Sequence, residues 1–271
     1  MKRLIVIALL LGFGVLAGCK PEPKPTIQAA FELNVVPLWG AQTLEVGRTY
    51  EYAPGKLLRT DQVKFYLSNI RLVRPDGSER PLKEIMLVDL DNERNYTAKT
   101  THGTTPYYFQ ANIPEGEYTG IRFNIGVPPA MNAKAPYEYP NGHPLSVGLP
   151  TWWTWATGYR FVIFDGRLDT TDGTFTQPTV GFSYHPGTND LLAAHSYVGA
   201  QYAFTTEAGF ENRMNLEVDF RKIFYPEGSD DFIYIERDPI THTLGSDFPL
   251  AQRVMNNLGT GVFVFPEKVR I

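Results

Sequence analysis

Apolar and polar positions alternate along most of this chain, in short runs separated by turns. "VKFYLSNIRLV" (63–73) is rich in β-branched and aromatic residues and gives way to a Pro75-Asp76-Gly77 turn. "IMLVDL" (85–90) has the length and composition of another strand. In "IPEGEYTGIRFNIGVP" (113–128) a turn leads into a strand with Ile121, Phe123, Ile125 and Val127 on one face. "GYRFVIFDGRL" (158–168) and "NLEVDF" (215–220) alternate in the same way, and "GVFVFPEKV" (261–269) predicts a strand near the end. The 24 glycines and 21 prolines fall largely between these runs. The best helix pattern is "SDFPLAQRVMNNLGTG" (246–261). Ser246 or Asp247 stands at its cap, Pro249 in its first turn, Leu250, Val254 and Leu258 on one face, and Gly259 at its stop. Many short strands and one late helix predict an all-β fold: an antiparallel β-sandwich, immunoglobulin-like or jelly-roll-like, with one short C-terminal helix.

The first residues, MKRLIVIALLLGFGVLAGCK, change the picture of where this domain works. Lys2 and Arg3 precede an apolar stretch from Leu4 to Val15 that is too short to span a membrane and reads as a secretory signal. Leu16-Ala17-Gly18-Cys19 resembles the bacterial lipobox, whose cysteine carries lipid, and Cys19 is the one cysteine of the chain. The expected organisation is a signal peptide over 1–18, a lipidated Pro/Lys tether over 19–28, and a single domain over 29–271. This places the protein in a bacterial cell envelope, lipid-anchored, at an outer membrane facing the periplasm or the cell surface, with the membrane contacted through the anchor alone. Net charge is −4 and no basic run occurs, which argues against nucleic acid. With Cys19 lipidated there is no thiolate for a buried metal. Any metal therefore has nitrogen and oxygen ligands, which leaves copper, zinc, iron or a hard cation.

No nucleophile elbow, zincin helix, P-loop or dinucleotide fingerprint occurs, so the chain is not expected to be an enzyme. "TWWTWATGYRF" (151–161) holds three of the four tryptophans; the other is Trp39. As one strand it would carry Trp153, Trp155, Thr157, Tyr159 and Phe161 on one face, with Trp152 opposite and the two paired indoles about 7 Å apart. On pattern alone three readings stay open: core packing, an aromatic platform for a sugar or other ligand, and a redox or metal role. The histidines are His102, His143, His185, His195 and His242, and no two are spaced to chelate a metal locally. His185 ends an alternating run beside a Pro-Gly turn, His143 sits in another turn, and His242 lies ahead of the helix. Singly, each is more readily a structural or solvated residue than a ligand. His102 and His195 have less still to mark them.

Taken in order, "YLSNIRL", "VDL", "IPEGEYTGIRFNIGVP", "MN", "HPLS", "WWTWATGYRFVIFDG", "FSYHPG", "LEVD" and "LAQRVMNNL" resemble the MbnP-like family, from about Ala30 to Phe263. These are periplasmic or surface proteins associated with methanobactin operons and related copper systems. The resemblance implies a copper-binding β-sandwich partnered by a MauG-like di-haem cytochrome peroxidase, which oxidises a tryptophan of the W-x-W segment to kynurenine. Carried over, the candidates for modification are Trp153 and Trp155, the strand-end histidine is His185, and His242 matches a histidine before the final helix. Many relatives carry a first-strand histidine; here Asn34 or Val36 stands in its place, which implies weaker metal binding, another ligand such as His143, or a lost site. The competing expectation is a surface lipoprotein that binds glycan or protein through exposed aromatics and holds no metal.

Overall fold

A computed structural model describes residues 26–90, 107–154, 157–176, 179–243 and 245–270. The signal segment, Cys19, most of the tether, His102 and Trp155 lie outside the described residues.

The strands are β1 (Gln28–Trp39), β2 (Gln42–Thr43), β3 (Thr49–Ala53), β4 (Lys56–Val73), β5 (Glu79–Asp89), β6 (Tyr107–Pro114), β7 (Gly116–Tyr118) and β8 (Gly120–Ile125). A single helical turn, α1 (Pro129–Asn132), precedes β9 (Trp152–Thr154), β10 (Gly158–Tyr159), β11 (Val162–Asp169), β12 (Val180–Tyr184), β13 (Ala193–Val198), β14 (Phe204–Thr206) and β15 (Phe210–Asp219). After β16 (Ile240–Thr241) come the helix α2 (Phe248–Gly259) and β17 (Val262–Arg270). The late helix and the final strand fall where the pattern predicts them.

Two sheets form the sandwich. One runs β17-β15-β1-β2, with β6 also on β1; the larger runs β13-β8-β4-β11-β12-β16, with β3 and β5 also on β4. In β1 the alternation sends Phe31, Leu33 and Val35 into the core, and Phe65, Phe164 and Phe182 meet them from the larger sheet. Across the middle of β4, Val63 to Ser68 are buried without alternation because both faces are covered. Lys64, caught in that run, meets Asp89 at 2.7 Å. The helix α2 closes the sandwich with Ala251, Val254, Met255 and Leu258 buried. Asp247 occupies its N-cap without a side-chain capping bond, and Pro249 lies in the first turn.

The pairing is mostly antiparallel, with two parallel exceptions that fix the topology. β1 lies parallel to β15 (Phe31↔Asn212 to Leu38↔Asp219), a pairing that only a long crossover allows. Here the crossover is much of the larger sheet. β12 lies parallel to β16, with Ser183↔Ile240 and Tyr184↔Thr241. Among the described residues no helix is long and apolar enough to cross a membrane.

Candidate functional site

The tryptophan segment is a hairpin and not one strand. β9 turns back on β10, with Trp152 opposite Tyr159 and Thr154 opposite Gly158. Gly158, where the register of β10 shifts, has a φ of +74° that suits glycine; a Cβ there would stand 2.2 Å from Asn132 Oδ1. Asn132 clasps this corner. Its Oδ1 accepts from the Tyr159 N–H at 2.8 Å, and its Nδ2 donates to the Thr157 carbonyl at 3.3 Å and to Asn189 Oδ1 at 3.1 Å. Trp152 therefore turns inward, edge-on to Tyr159 at 4.9 Å between ring centroids, and Trp153 turns outward with 38% of its surface exposed. The single-face alignment expected from Trp153 to Phe161 fails because the chain reverses between them.

The two histidines are brought beside Trp153 by the parallel β12–β16 pair. Since Tyr184 is level with Thr241, the next residues, His185 and His242, emerge side by side at the strand ends. The His185 N–H donates to the Thr241 carbonyl at 3.1 Å, and the Thr243 hydroxyl donates to the His185 carbonyl at 2.7 Å. Ring centroids lie 5.6 Å apart for His185–His242, 4.9 Å for Trp153–His242 and 5.7 Å for Trp153–His185. Arg160 sets its guanidinium 4.9 Å from the Trp153 ring centre, over the ring, held by a 2.8 Å bond from Nη2 to the Pro150 carbonyl.

The imidazoles are held in different ways. His185, 8% exposed, has its Nε2 2.7 Å from Asp165 Oδ1, while its Nδ1 is buried without a partner among the described residues. The Nδ1 of His242 is likewise buried and has no partner among the described residues, and its backbone N–H donates to Asp247 Oδ2 at 3.3 Å. Burial, and then the neighbouring His185, push the His242 pKa below the ordinary histidine value, so this ring is neutral at pH 7. Two buried imidazole nitrogens beside an indole suit a borderline metal such as copper or zinc. Among the described residues no group of three or more His, Cys, Asp or Glu side chains is arranged to hold a metal. Trp153 is the further side chain in contact with both imidazoles.

Other expected ligands lie elsewhere. His143 stacks on Tyr139 at 4.4 Å, and its Nδ1 accepts from the Leu145 N–H at 3.1 Å. Asn34, one of the two residues expected in place of a first-strand histidine, sits in the smaller sheet with its amide 3.2 Å from Asn215 Oδ1. The trio forms without a residue of β1. Asp165, Arg160, Thr243 and Asn132 escaped the sequence reading. For Asp165 the signal available was its place in the alternating "VIFDGRL", opposite Ser183 once β11 and β12 are paired.

A family model described as MbnP matches residues 28–242. Among solved structures, MbnP from Methylosinus trichosporium is similar, at 12% identity and a TM-score of 0.48, with 89% of this chain and 99% of that one covered. No curated protein matches the chain.

Proposed function

This chain belongs to the MbnP family, and we propose that it is a methanobactin-associated, lipid-anchored copper-binding protein of the cell envelope, with no catalytic activity of its own. His185 and His242 hold the metal, and Trp153 is the side chain that a partner di-haem peroxidase converts to kynurenine. The observation that carries this reading is the contact of one partly exposed indole with two imidazoles whose Nδ1 atoms are buried and unpartnered. Buried ring nitrogens without hydrogen bonds are costly in a stable core, and a metal ion is a partner that would satisfy them.

Copper, when bound, supplies a cation that accepts lone pairs from neutral imidazoles in either oxidation state. The protein's own residues do the rest. The parallel strand ends hold the imidazoles level, and the hairpin turns Trp153 toward both of them and toward solvent. Conversion to kynurenine, with peroxide as the oxidant at the partner's haem, cleaves the indole C2–C3 bond and releases C2 as formate, leaving an aniline nitrogen and a ketone that would give a third donor. A solvent-facing edge lets an external haem draw electrons from the indole without entering the fold.

The competing reading, an aromatic platform for glycan or protein, needs an indole face free of neighbours. Trp153 carries Arg160 over its ring and two imidazoles against it, which favours the metal reading. The test is co-expression with a di-haem peroxidase, followed by peptide mass spectrometry and copper analysis after dialysis. The expected result is a mass change at Trp153 equal to one carbon replaced by one oxygen, with copper retained. An unchanged Trp153 together with copper lost on dialysis would defeat the proposal.

A further inference from the structure

We infer that Asp165 is a positioning residue for the candidate metal centre: it fixes His185 as the Nε2–H tautomer and thereby presents Nδ1 as the metal-binding nitrogen. This rests on the copper reading above and adds the atom and the residue that selects it.

The argument starts from strand register. Asp165 on β11 is directly opposite Ser183 on β12, and His185 follows two residues later on the same face. All three polar groups therefore meet on one side of the larger sheet. The Ser183 hydroxyl donates to Asp165 Oδ1 at 2.8 Å, and the same carboxylate oxygen lies 2.7 Å from His185 Nε2. Ser183 Oγ is also 3.2 Å from that nitrogen. An ionised carboxylate can only accept, and the serine proton is already committed to it. Nε2 thus faces two oxygens, neither with a proton to give, and must carry the hydrogen itself. In a neutral imidazole the other nitrogen then holds the lone pair, and that nitrogen is the buried, unpartnered Nδ1.

A carboxylate behind a ligating histidine orients the ring and raises its basicity, and removing such a partner weakens metal binding by about 10–100-fold. Here the same contact also decides which end of the ring faces the metal. Nε2 is occupied, and the Nδ1 atoms of His185 and His242 are the buried nitrogens that remain open. The chemistry selected is that of a borderline cation taking neutral imidazole nitrogen, with Cu(I) as the probe.

The experiment begins with metal-free protein labelled with 15N-histidine, studied by long-range 1H–15N correlation at about pH 8, where free histidine is neutral. His185 is expected as the Nε2–H tautomer. Asp165→Ala should release it, so that the Nδ1–H form appears, and should weaken Cu(I) binding in chelator competition by about 10–100-fold. Asp165→Asn, whose side-chain carbonyl can still accept from Nε2, should restore the tautomer and most of the affinity. An Nδ1–H tautomer in the wild type overturns the inference, and needs no variant to fold. So does a D165A protein that keeps both tautomer and affinity. Failure of the copper reading has a different signature: a wild type with the expected tautomer that binds no Cu(I) overturns the metal assignment and leaves the hold of Asp165 on the ring.

Discussion

The Thr243 hydroxyl donates to the His185 carbonyl at 2.7 Å and accepts from the Gly187 N–H at 2.8 Å, so the residue after one candidate ligand fastens the backbone of the other. Thr243 is 2% exposed and has a φ of +86°, a left-handed value that a β-branched residue seldom adopts. Strain of this kind persists where its surroundings over-determine it, and it concentrates at functional sites. Replacing Thr243 with valine keeps the shape and strands two buried backbone groups. Thr243→Val should destabilise the fold by about 2 kcal/mol or more, measured by urea unfolding. Thr243→Ser, which keeps the hydroxyl, should recover most of it. Equal losses in both variants would mean that packing of the methyl group, and not the bridge, holds the two segments together.

Arg160 is expected to govern how readily Trp153 loses an electron. A positive charge 4.9 Å from the ring opposes formation of an indole radical cation, by roughly 3 kcal/mol at an effective dielectric near 20. Arg160→Gln should therefore speed kynurenine formation by at least about tenfold under the same peroxide-driven partner. Arg160→Lys, which keeps the charge, should stay near the wild-type rate. Matching rates in R160Q and wild type, followed by mass spectrometry of the Trp153 peptide, would show that the guanidinium only packs.

Acid should weaken the fold through His195, which lies outside the candidate site. Its ring stacks on Phe123 at 5.3 Å, its Nε2 is buried without a partner among the described residues, and burial pulls its pKa down to about 4. The unfolded chain takes up this proton near pH 6.5, whereas the folded chain resists until about 4. Between those values the unfolded state binds more protons, so stability falls as pH falls; above about 6.5 the contribution is fully present. The ring is partly exposed, which limits the loss to about 2 kcal/mol. His195→Phe keeps the stacking without the titration. Its urea midpoint should change less than that of the wild type between pH 7 and pH 4.5, and parallel curves would remove His195 as the cause.

What the sequence made legible was local. The strand over 63–73 and the helix ending at Gly259 follow from side-chain period and from Pro249 in the helix's first turn, signals that act within a few residues. The site depends on non-local register. His185 and His242 stand level because β12 and β16 pair in parallel across more than fifty residues of chain, and no spacing rule reports that. The Trp153 hairpin was half legible. Strict alternation through Gly158 predicts one continuous strand, although a glycine there is a local sign that the strand can reverse. Asp165 read as an ordinary polar position because its meaning comes from the residue opposite it.

Gly158 offers the last test, since it belongs to the β9–β10 hairpin that orients Trp153. A Cβ at this position meets Asn132 Oδ1 at 2.2 Å and must also adopt a φ of +74°. Gly158→Ala therefore costs both left-handed strain and the Asn132 clasp, on the order of 2–4 kcal/mol together. Asn132→Ala removes the bonds to Thr157, Tyr159 and Asn189 without the strain and should cost about 1–3 kcal/mol. Because Trp152 and Trp153 leave the hairpin in opposite directions, both variants should also expose Trp152. Quenching of tryptophan emission by iodide should rise in each variant under conditions where it stays folded. If quenching is unchanged while stability falls, the hairpin keeps its shape without the clasp, and the orientation of Trp153 must be fixed by Arg160 and the imidazoles instead.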